Sequence, residues 1–420
     1  MAEEEIYITG VGVVSPIGIG RETFWRSLCE GRSGIRHLDL PDEPPLYPPI
    51  GGAVVDFDPK QYVRQRKSLK VMSRDIQLAC AAAELAAADA KSTAGAFDPD
   101  RLGVVFGAGM IPCELEELVG TYRACMLDGK FDFRRWGTAA MSELFPLWML
   151  KYLPNMPACH IGIALDARGP NNTITLGDMS GISAIAEAER TLQRKQADGI
   201  ITGGVGVQLH PAAWVRNHIY PLSRRGDCPS AASRPFDALR DGQVVGEGAG
   251  ALFLERAEHA RARGIAPIAR FCGAAAVFQP PRPNQPPQSD AIRRAITTLL
   301  KKTGLKSEEI GLVVAHGLST ILDDRLEAQA IRDVLGEAPV TAPKSYFGHL
   351  AAGAGALETV LAALAIQQRL APPTLNYETP DPLCPVNVIH GRPMPLTRSI
   401  VLVLAHSSQG QAAALALSSI

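Results

Sequence analysis

The order of apolar and polar positions divides the chain into short buried strands and small-residue helices. Glu5 to Ser15 (EIYITGVGVVS) and Arg101 to Gly109 (RLGVVFGAG) read as buried strands with glycine-rich ends. Gln77 to Ala90 (QLACAAAELAAADA) has the spacing of an Ala-rich amphipathic helix. The stretch Gly169 to Val205 predicts a β-branched strand (Asn172 to Leu176), a sharp turn at Gly177-Asp178 and a helix carrying Gly181, Ala184, Ala186 and Ala188. Those small residues let neighbouring backbone approach, so the helix belongs inside the protein. Gly199 to Thr202 predicts a strand running into a Gly-Gly turn. A turn residue at the start of a buried helix sits at the positive end of its dipole, where an anion is stabilised.

The second half repeats this order. A helix from Asp290 to Thr303, a buried strand from Ile310 to Ala315 and another helix lead to a second strand-turn-small-residue unit, Val340 to Gln368. The similarity of the two units suggests internal duplication. Gln279 to Gln288, with five prolines in ten residues, reads as the loop between halves, which sets domains at 1–265 and 266–420. Pro44 to Pro49 reads as another loop, and Ile111 to Pro157 as helical and irregular.

Composition narrows the class. The 420 residues carry a net charge of −1, with 46% hydrophobic residues and 39 glycines, which suits an α/β core and gives no general preference for nucleic acid or membrane. Eight scattered cysteines without a CxxC pair suggest reduced thiols in a cytoplasmic protein and no zinc site. The acidic residues 1–5 do not read as a signal peptide. The most apolar stretch, Ala351 to Ile366, is short for a membrane span and carries Glu358. Gly10, Gly12 and Gly18 do not have dinucleotide-site spacing, and Pro16 interrupts the helix start.

Several segments resemble the β-ketoacyl synthases, the condensing enzymes of fatty-acid and polyketide synthesis. The opening strand followed by FWRSLCEGRSGI is similar to their N-terminus, and ASRPFDALRDGQVVGEGAG (Ala232 to Gly250) is close to their consensus. Ala315-His316-Gly317-Leu318-Ser319-Thr320 resembles A-H-G-T-x-T, with Asp324 and Glu327 at D-x-x-E positions. Lys344 to His349 (KSYFGH) resembles K-S-x-x-G-H, and Asn155, Met156 and His160 resemble N-M-x-x-x-H. The resemblance implies an α/β thiolase-like fold: duplicated βαβαβαββ halves in a five-layer αβαβα sandwich. It also implies a homodimer, or a heterodimer with an active ketosynthase, with Ile111–Pro157 and an edge strand Gly199–Val205 at or near the interface.

The resemblance also assigns roles. Aligned on Ser180-Gly181, the family's nucleophilic cysteine falls on Asp178. His316, His349, Lys344 and Glu327 match the residues that polarise a malonyl thioester, with Lys344 tied through Glu327 to one histidine. Ser408 falls where the family has an oxyanion-hole N–H and a gating Phe. Thr320, Leu318, Phe347 and Gln409 fall in the substrate-binding region, with Leu318 replacing a threonine that helps bind pantetheine. The basic cluster Arg64, Arg66, Lys67, Lys70 and Arg74 lies where the family holds acyl carrier protein; the plain alternative is a solvated helix start. No cofactor or metal is implied, since substrates arrive on the phosphopantetheine of acyl carrier protein or on CoA. His160 reads as a packed structural histidine, and Arg234, Asp237, Arg240, Asp241 and Glu247 as a structural charge network.

With Asp178 in place of the cysteine, Cys-dependent condensation is not expected. The expected reading is a diverged enzyme acting on acyl or β-ketoacyl thioesters, with Asp178, His316 and His349 as acid/base groups and at least one imidazole protonated at neutral pH. The alternatives are a non-catalytic partner like the chain-length factors, or a malonyl-thioester decarboxylase. Relatives with glutamine at this position decarboxylate malonyl groups, but a carboxylate repels malonate where an amide does not.

Overall fold

The computed structural model describes residues 4–39, 48–92, 95–217, 219–280 and 289–420. The two proline-rich loops therefore lie largely outside the described residues. In the first half, strand β1 (Ile6–Ser15), helix α1 (Arg74–Asp89), β2 (Leu102–Gly107), α2 (Met156–Leu165), β3 (Asn171–Ile174), α3 (Ser180–Gln193), β4 (Gly199–Val207) and β5 (Glu247–Arg256) follow one another. The second half gives β6 (Ala269–Phe278), α4 (Asp290–Thr303), β7 (Ile310–Val314), α5 (Ile321–Leu335), β8 (Pro339–Thr341), α6 (Ala354–Gln368), β9 (Ile400–His406) and β10 (Gln411–Ser418).

Each half is thus βαβαβαββ, and each sheet has the same strand order. The first runs β1-β5-β4-β2-β3 and the second β6-β10-β9-β7-β8, extended by the short strand Asn387–Val388. Within each half the pairs on the outer side are parallel and the rest antiparallel. The halves join where Ile6–Ile8 of β1 pairs antiparallel with Ala269–Phe271 of β6. Helices α1 and α2 cover one outer face, α4 and α5 the other, and α3 and α6 lie between the sheets. This is the five-layer α/β thiolase-like fold.

Small residues make the middle layer possible. Helix α6 is buried from Ala354 to Ile366, apolar all round except for Glu358 and Thr359, as a helix covered on every side must be. A Cβ on Gly206 would sit 1.9 Å from the Leu350 carbonyl oxygen, and one on Gly204 2.6 Å from that of Ala352. Gly203 and Gly204 therefore do not form the expected turn: β4 continues through them to Val207. Nor is β4 an edge strand. It lies between β5 and β2, and β3 is the outermost strand of that half. Gly10 and Gly12 answer the same need on the outer face, where a Cβ would meet the Ala86 and Ala82 carbonyl oxygens at 2.3 and 1.9 Å.

One further expectation shifts. Residues 62–74 form a 3-10 turn, Arg66–Val71, before α1 begins at Arg74. The irregular segment holds helices Leu115–Ala124 and Trp136–Glu143, with Tyr122, Phe131, Phe133 and Trp136 in mutual ring contact. Around them Met126, Met141 and Met149 are exposed, so this face is broadly apolar. Among the described residues, no helix is long and apolar enough to cross a membrane.

The close approach of β4 to the residues leading into α6 predicts a steric penalty. Gly206→Ala should lower unfolding free energy by about 1–3 kcal/mol or more, as overpacking does, read as a fall in urea midpoint. An unchanged midpoint would contradict the approach at Leu350.

Candidate functional site

Two strand-to-helix corners face each other at one end of the middle layer. The first is the turn Gly177–Met179, entered with Gly177 at φ +56°. Ser180 Oγ pins it, donating to the Gly177 carbonyl at 2.7 Å and accepting from the Leu176 N–H at 2.9 Å. The second is the run from Lys344 to Ala352 that leads into α6. The His349 N–H donates to the Val244 carbonyl at 2.7 Å, and its own carbonyl accepts from the Gly246 N–H at 2.9 Å.

The corners bring Asp178 to the histidines. One carboxylate oxygen lies 3.1 Å from His349 Nε2, and the other 4.0 Å from His316 Nε2. Behind His316, Lys344 Nζ reaches the His316 Nδ1 at 3.0 Å and carbonyl oxygen at 2.6 Å, and forms an ion pair with Glu358. An ammonium has no lone pair to offer, so it donates to Nδ1 and the His316 proton resides on Nε2. Glu358, and not Glu327 as expected, is therefore the carboxylate behind Lys344. Glu327 instead accepts the backbone N–H groups of His316 and Gly317 at 2.7 and 2.8 Å, and lies 3.6 Å from His406 Nε2.

These contacts fix the charge states. Burial would raise the Asp178 carboxyl, but the charge and hydrogen bond of His349, with Lys344 and His406 beyond, pull it below its ordinary value. Burial and the Lys344 ammonium push His316 well below the ordinary imidazole range, so this ring is neutral at pH 7. Burial also disfavours charge on His406, yet Glu327 overcomes it and raises that imidazole. The histidine pushed toward its protonated form is therefore His406, whose ring centre is 4.7 Å from that of His316. The expectation that Asp178 raises at least one of its histidines does not hold at His316, because Lys344 already faces its other nitrogen.

A cavity of about 600 Å³ opens over Asp178 and His349 and is also lined by Leu318, Thr320, Ser408 and Gln409. His316 is fully buried and does not line it, so Asp178, with 20% of its side chain open, separates that ring from the cavity. One predicted binding residue serves the fold instead, and Thr320 serves both the cavity wall and the fold. Phe347 is fully buried in the central core against Phe24, away from the cavity. The Thr320 hydroxyl caps α5, accepting from the Asp323 N–H at 3.1 Å.

Among the basic cluster, Arg74 is committed inward, to Glu247 at 2.8 Å and the Val54 carbonyl at 2.7 Å, so it is not an open carrier contact. Arg64 is exposed and paired with Glu84, while Arg66, Lys67 and Lys70 are exposed with no ion pair among the described residues. His160 is buried. The charge network is structural: Asp237 accepts the N–H groups of Leu239, Glu378 and Thr379, and Arg240 pairs with Asp381. Among the described residues no three His, Cys, Asp or Glu side chains are grouped to hold a metal. Sequence reasoning missed Glu358 as a site residue, although a lone acid in an apolar helix signals a buried partner.

Comparison with known proteins bears on the family and the fold. Residues 3–260 match the family described as beta-ketoacyl synthase, N-terminal domain, and residues 269–378 its C-terminal domain. The chain is 34% identical over 408 residues to 3-oxoacyl-[acyl-carrier-protein] synthase 2 of Synechocystis sp., covering 96% of this chain and 95% of that protein. It is 34% identical over 394 residues to the putative polyketide beta-ketoacyl synthase 1 of Streptomyces cyaneus, covering 91% and 90%. Among solved structures, the ishigamide ketosynthase/chain length factor superposes with a TM-score of 0.88 at 28% identity over 100% of both chains. A type II polyketide acyl-carrier protein in complex with its ketosynthase bound to the hexaketide gives 0.86 at 27%, again over 100% of both.

The pH behaviour follows from the sign of each shift. The lowered Asp178 value contributes stability that is present above the ordinary carboxylate range and lost as pH falls through the lowered value. Asp178→Asn should therefore cost about 1.5–3 kcal/mol at pH 7, the range for a hydrogen bond to a charged group. The gap should close in acid, as read by urea melts across pH. The His406 shift has the opposite sign: its contribution is complete below the ordinary imidazole value and lost as pH rises through the raised one. Glu327→Gln should lower the His406 titration in NMR spectra, and an unmoved titration would contradict the pairing.

Proposed function

The chain belongs to the β-ketoacyl synthase family, and from that membership we propose that it binds acyl or β-ketoacyl thioesters without forming an acyl-enzyme. The substrate arrives on the phosphopantetheine of acyl carrier protein, or on CoA, and Asp178 and His349 form a proton-transferring pair beneath it. The carboxylate 3.1 Å from His349, standing at the family's nucleophile position, carries this reading. A carboxylate is a poor acyl acceptor here, because the mixed anhydride it would form is labile.

The lowered Asp178 value makes it a weak base, so it suits only acidic protons. The carbon between the two carbonyls of a β-ketoacyl thioester bears such protons. His316 carries its proton on Nε2, facing Asp178 at 4.0 Å from behind, while His349 beside Asp178 lines the cavity and is the group placed to meet a substrate oxygen. Malonyl decarboxylation fits less well: two carboxylates about 4 Å apart at an effective dielectric near 20 repel by about 4 kcal/mol. Arg66, Lys67 and Lys70, exposed on one turn, and Arg64 just before it are the proposed contacts for the acidic carrier protein.

A second reading, a chain-length-factor-like partner of an active ketosynthase, is supported by the superposition on a ketosynthase/chain length factor structure. Exposed apolar side chains around Trp136, such as Met141 and Phe133, fit an assembly of either kind. Such a face is covered in an assembly, by a second copy in the homodimer reading or by the ketosynthase in this one.

Intact-mass analysis after incubation with acetyl-, malonyl- and β-ketoacyl-carrier protein should show no acyl adduct, while in D₂O the β-ketoacyl thioester exchanges its C2 protons faster than without the protein. Asp178→Ala should reduce that acceleration at least tenfold. A stable adduct on the wild-type chain would sink the non-covalent reading, and exchange no faster than the uncatalysed rate would favour the partner role. In a second experiment, Asp178→Cys should acquire an acyl adduct with the acetyl carrier protein yet condense poorly, since Ser408 provides no aromatic gate. Efficient condensation by that variant would show that the rest of the site had not diverged.

A further inference from the structure

Proton transfer by Asp178 and His349 leaves one buried ionisable pair unused. His406 ends β9, is 4% exposed and does not line the cavity. Its Nε2 lies 3.6 Å from a Glu327 oxygen, and its ring centre lies 4.7 Å from that of His316, with the planes 60° apart. Lys344, the other buried cation nearby, is already committed to Glu358. The fully buried Glu327 carboxylate, beyond the two backbone N–H groups it accepts, therefore has His406 as its counter-charge. An apolar ring would fill the same space without burying a charge, and a buried ion pair is often no more stabilising than such packing. Stability alone does not account for the pair.

Its surroundings do. His316 touches both His406 and the site: its ring meets that of His406, and its Nε2 is 4.0 Å from Asp178. Lys344 keeps His316 neutral, so this ring adds no charge of its own to what Asp178 feels. The charged and titratable groups facing His406 are Glu327 and Asp323 from α5, His316 just after β7, Lys344 from the second corner and Asp178 from the first. Asp323 is itself bound by the Thr320 hydroxyl at 2.8 Å. In such a buried setting salt screens little, so the charge of His406 reaches Asp178.

We propose that His406, paired with Glu327, is a positioning residue for Asp178: acting across the neutral His316 ring, its charge holds the carboxylate ionised and sets the acid limit of proton transfer in the cavity. This rests on the proton-transfer reading above and adds to it a control that lies outside the cavity. The sign follows from charge. Removing a cation near a carboxylate makes proton uptake easier, so the acid limit moves toward neutral pH.

The test uses the full chain and two readouts, only one of which needs activity. The first is the carboxyl ¹³C titration of Asp178. In His406→Phe it should move upward by about half a pH unit or more, short of the about 1–3 units that a directly paired charge gives. Coupling between two sites is reciprocal, so Asp178→Asn should lower the His406 imidazole titration by a similar amount. Where an unpaired Glu327 disturbs folding, the double variant His406→Phe/Glu327→Gln buries no lone charge, and the Asp178 titration should still move upward in it, by less. The second readout is the pH profile of C2 proton exchange in D₂O. Its acid limb should shift upward with the Asp178 titration, whereas a merely structural loss would lower the rate without moving the limb. An Asp178 titration unmoved in both His406 variants, or a His406 titration unmoved in Asp178→Asn, overturns the assignment while leaving proton transfer by Asp178 intact. Coupled titrations without accelerated exchange by the wild type remove the proton-transfer reading, and the role of His406 in it falls with that reading.

Discussion

The site depends on how closely α3 and α6 cross. A Cβ on Gly181 would lie 2.8 Å from the Ala356 nitrogen, and one on Gly355 2.7 Å from Ile182 Cγ1. Only backbones stripped to hydrogens and methyl groups pack this tightly, and the approach sets the distance between the corners from which the helices start. Asp178 enters from one corner and His349 from the other, 3.1 Å apart. A bulkier crossing would separate them by more than a hydrogen bond's reach. The duplicated topology serves this crossing, since two copies of one βαβαβαββ unit place equivalent helices face to face.

Buried charge is the second constraint, and it is met by pairing. Glu358, fully buried in an otherwise apolar helix, holds Lys344, and Lys344 in turn fixes the His316 tautomer. Glu327 ties down the backbone at His316 and Gly317 and holds His406 near. Breaking such a pair by removing one partner leaves an uncompensated charge, which is far costlier than never having built it. A neutral His316 behind an ionised Asp178 follows from this arrangement. Asp178 at the first corner is thus held as an anion beside His349.

Much of this was legible in the chain. The small-residue helices after two sharp turns gave the duplication, and the flanks of His316 and His349 identified both rings. Lys344 to His349 and Gly177-Asp178 lie at the corners where the pattern put them. What escaped detection depends on tertiary distance. Gly203 and Gly204 read locally as a turn, but they are strand positions emptied for the α6 corner. Phe347 reads as a pocket residue beside a site motif, yet its ring points into the core against Phe24. His406 and Glu327 are far apart in sequence, and only the pairing of β7 with β9 brings their neighbourhoods together. Arg74 looked like one more surface cation until Glu247 was found beside it.

The central claim is that the nucleophile position holds an ionised carboxylate paired with His349. The most direct measurement is a carboxyl ¹³C titration of Asp178, assigned by difference against Asp178→Asn. This account predicts an anion that takes up its proton only below the ordinary carboxylate range, with its titration moving upward in His349→Ala. Protonation at or above the ordinary range, or a titration indifferent to His349, would contradict it.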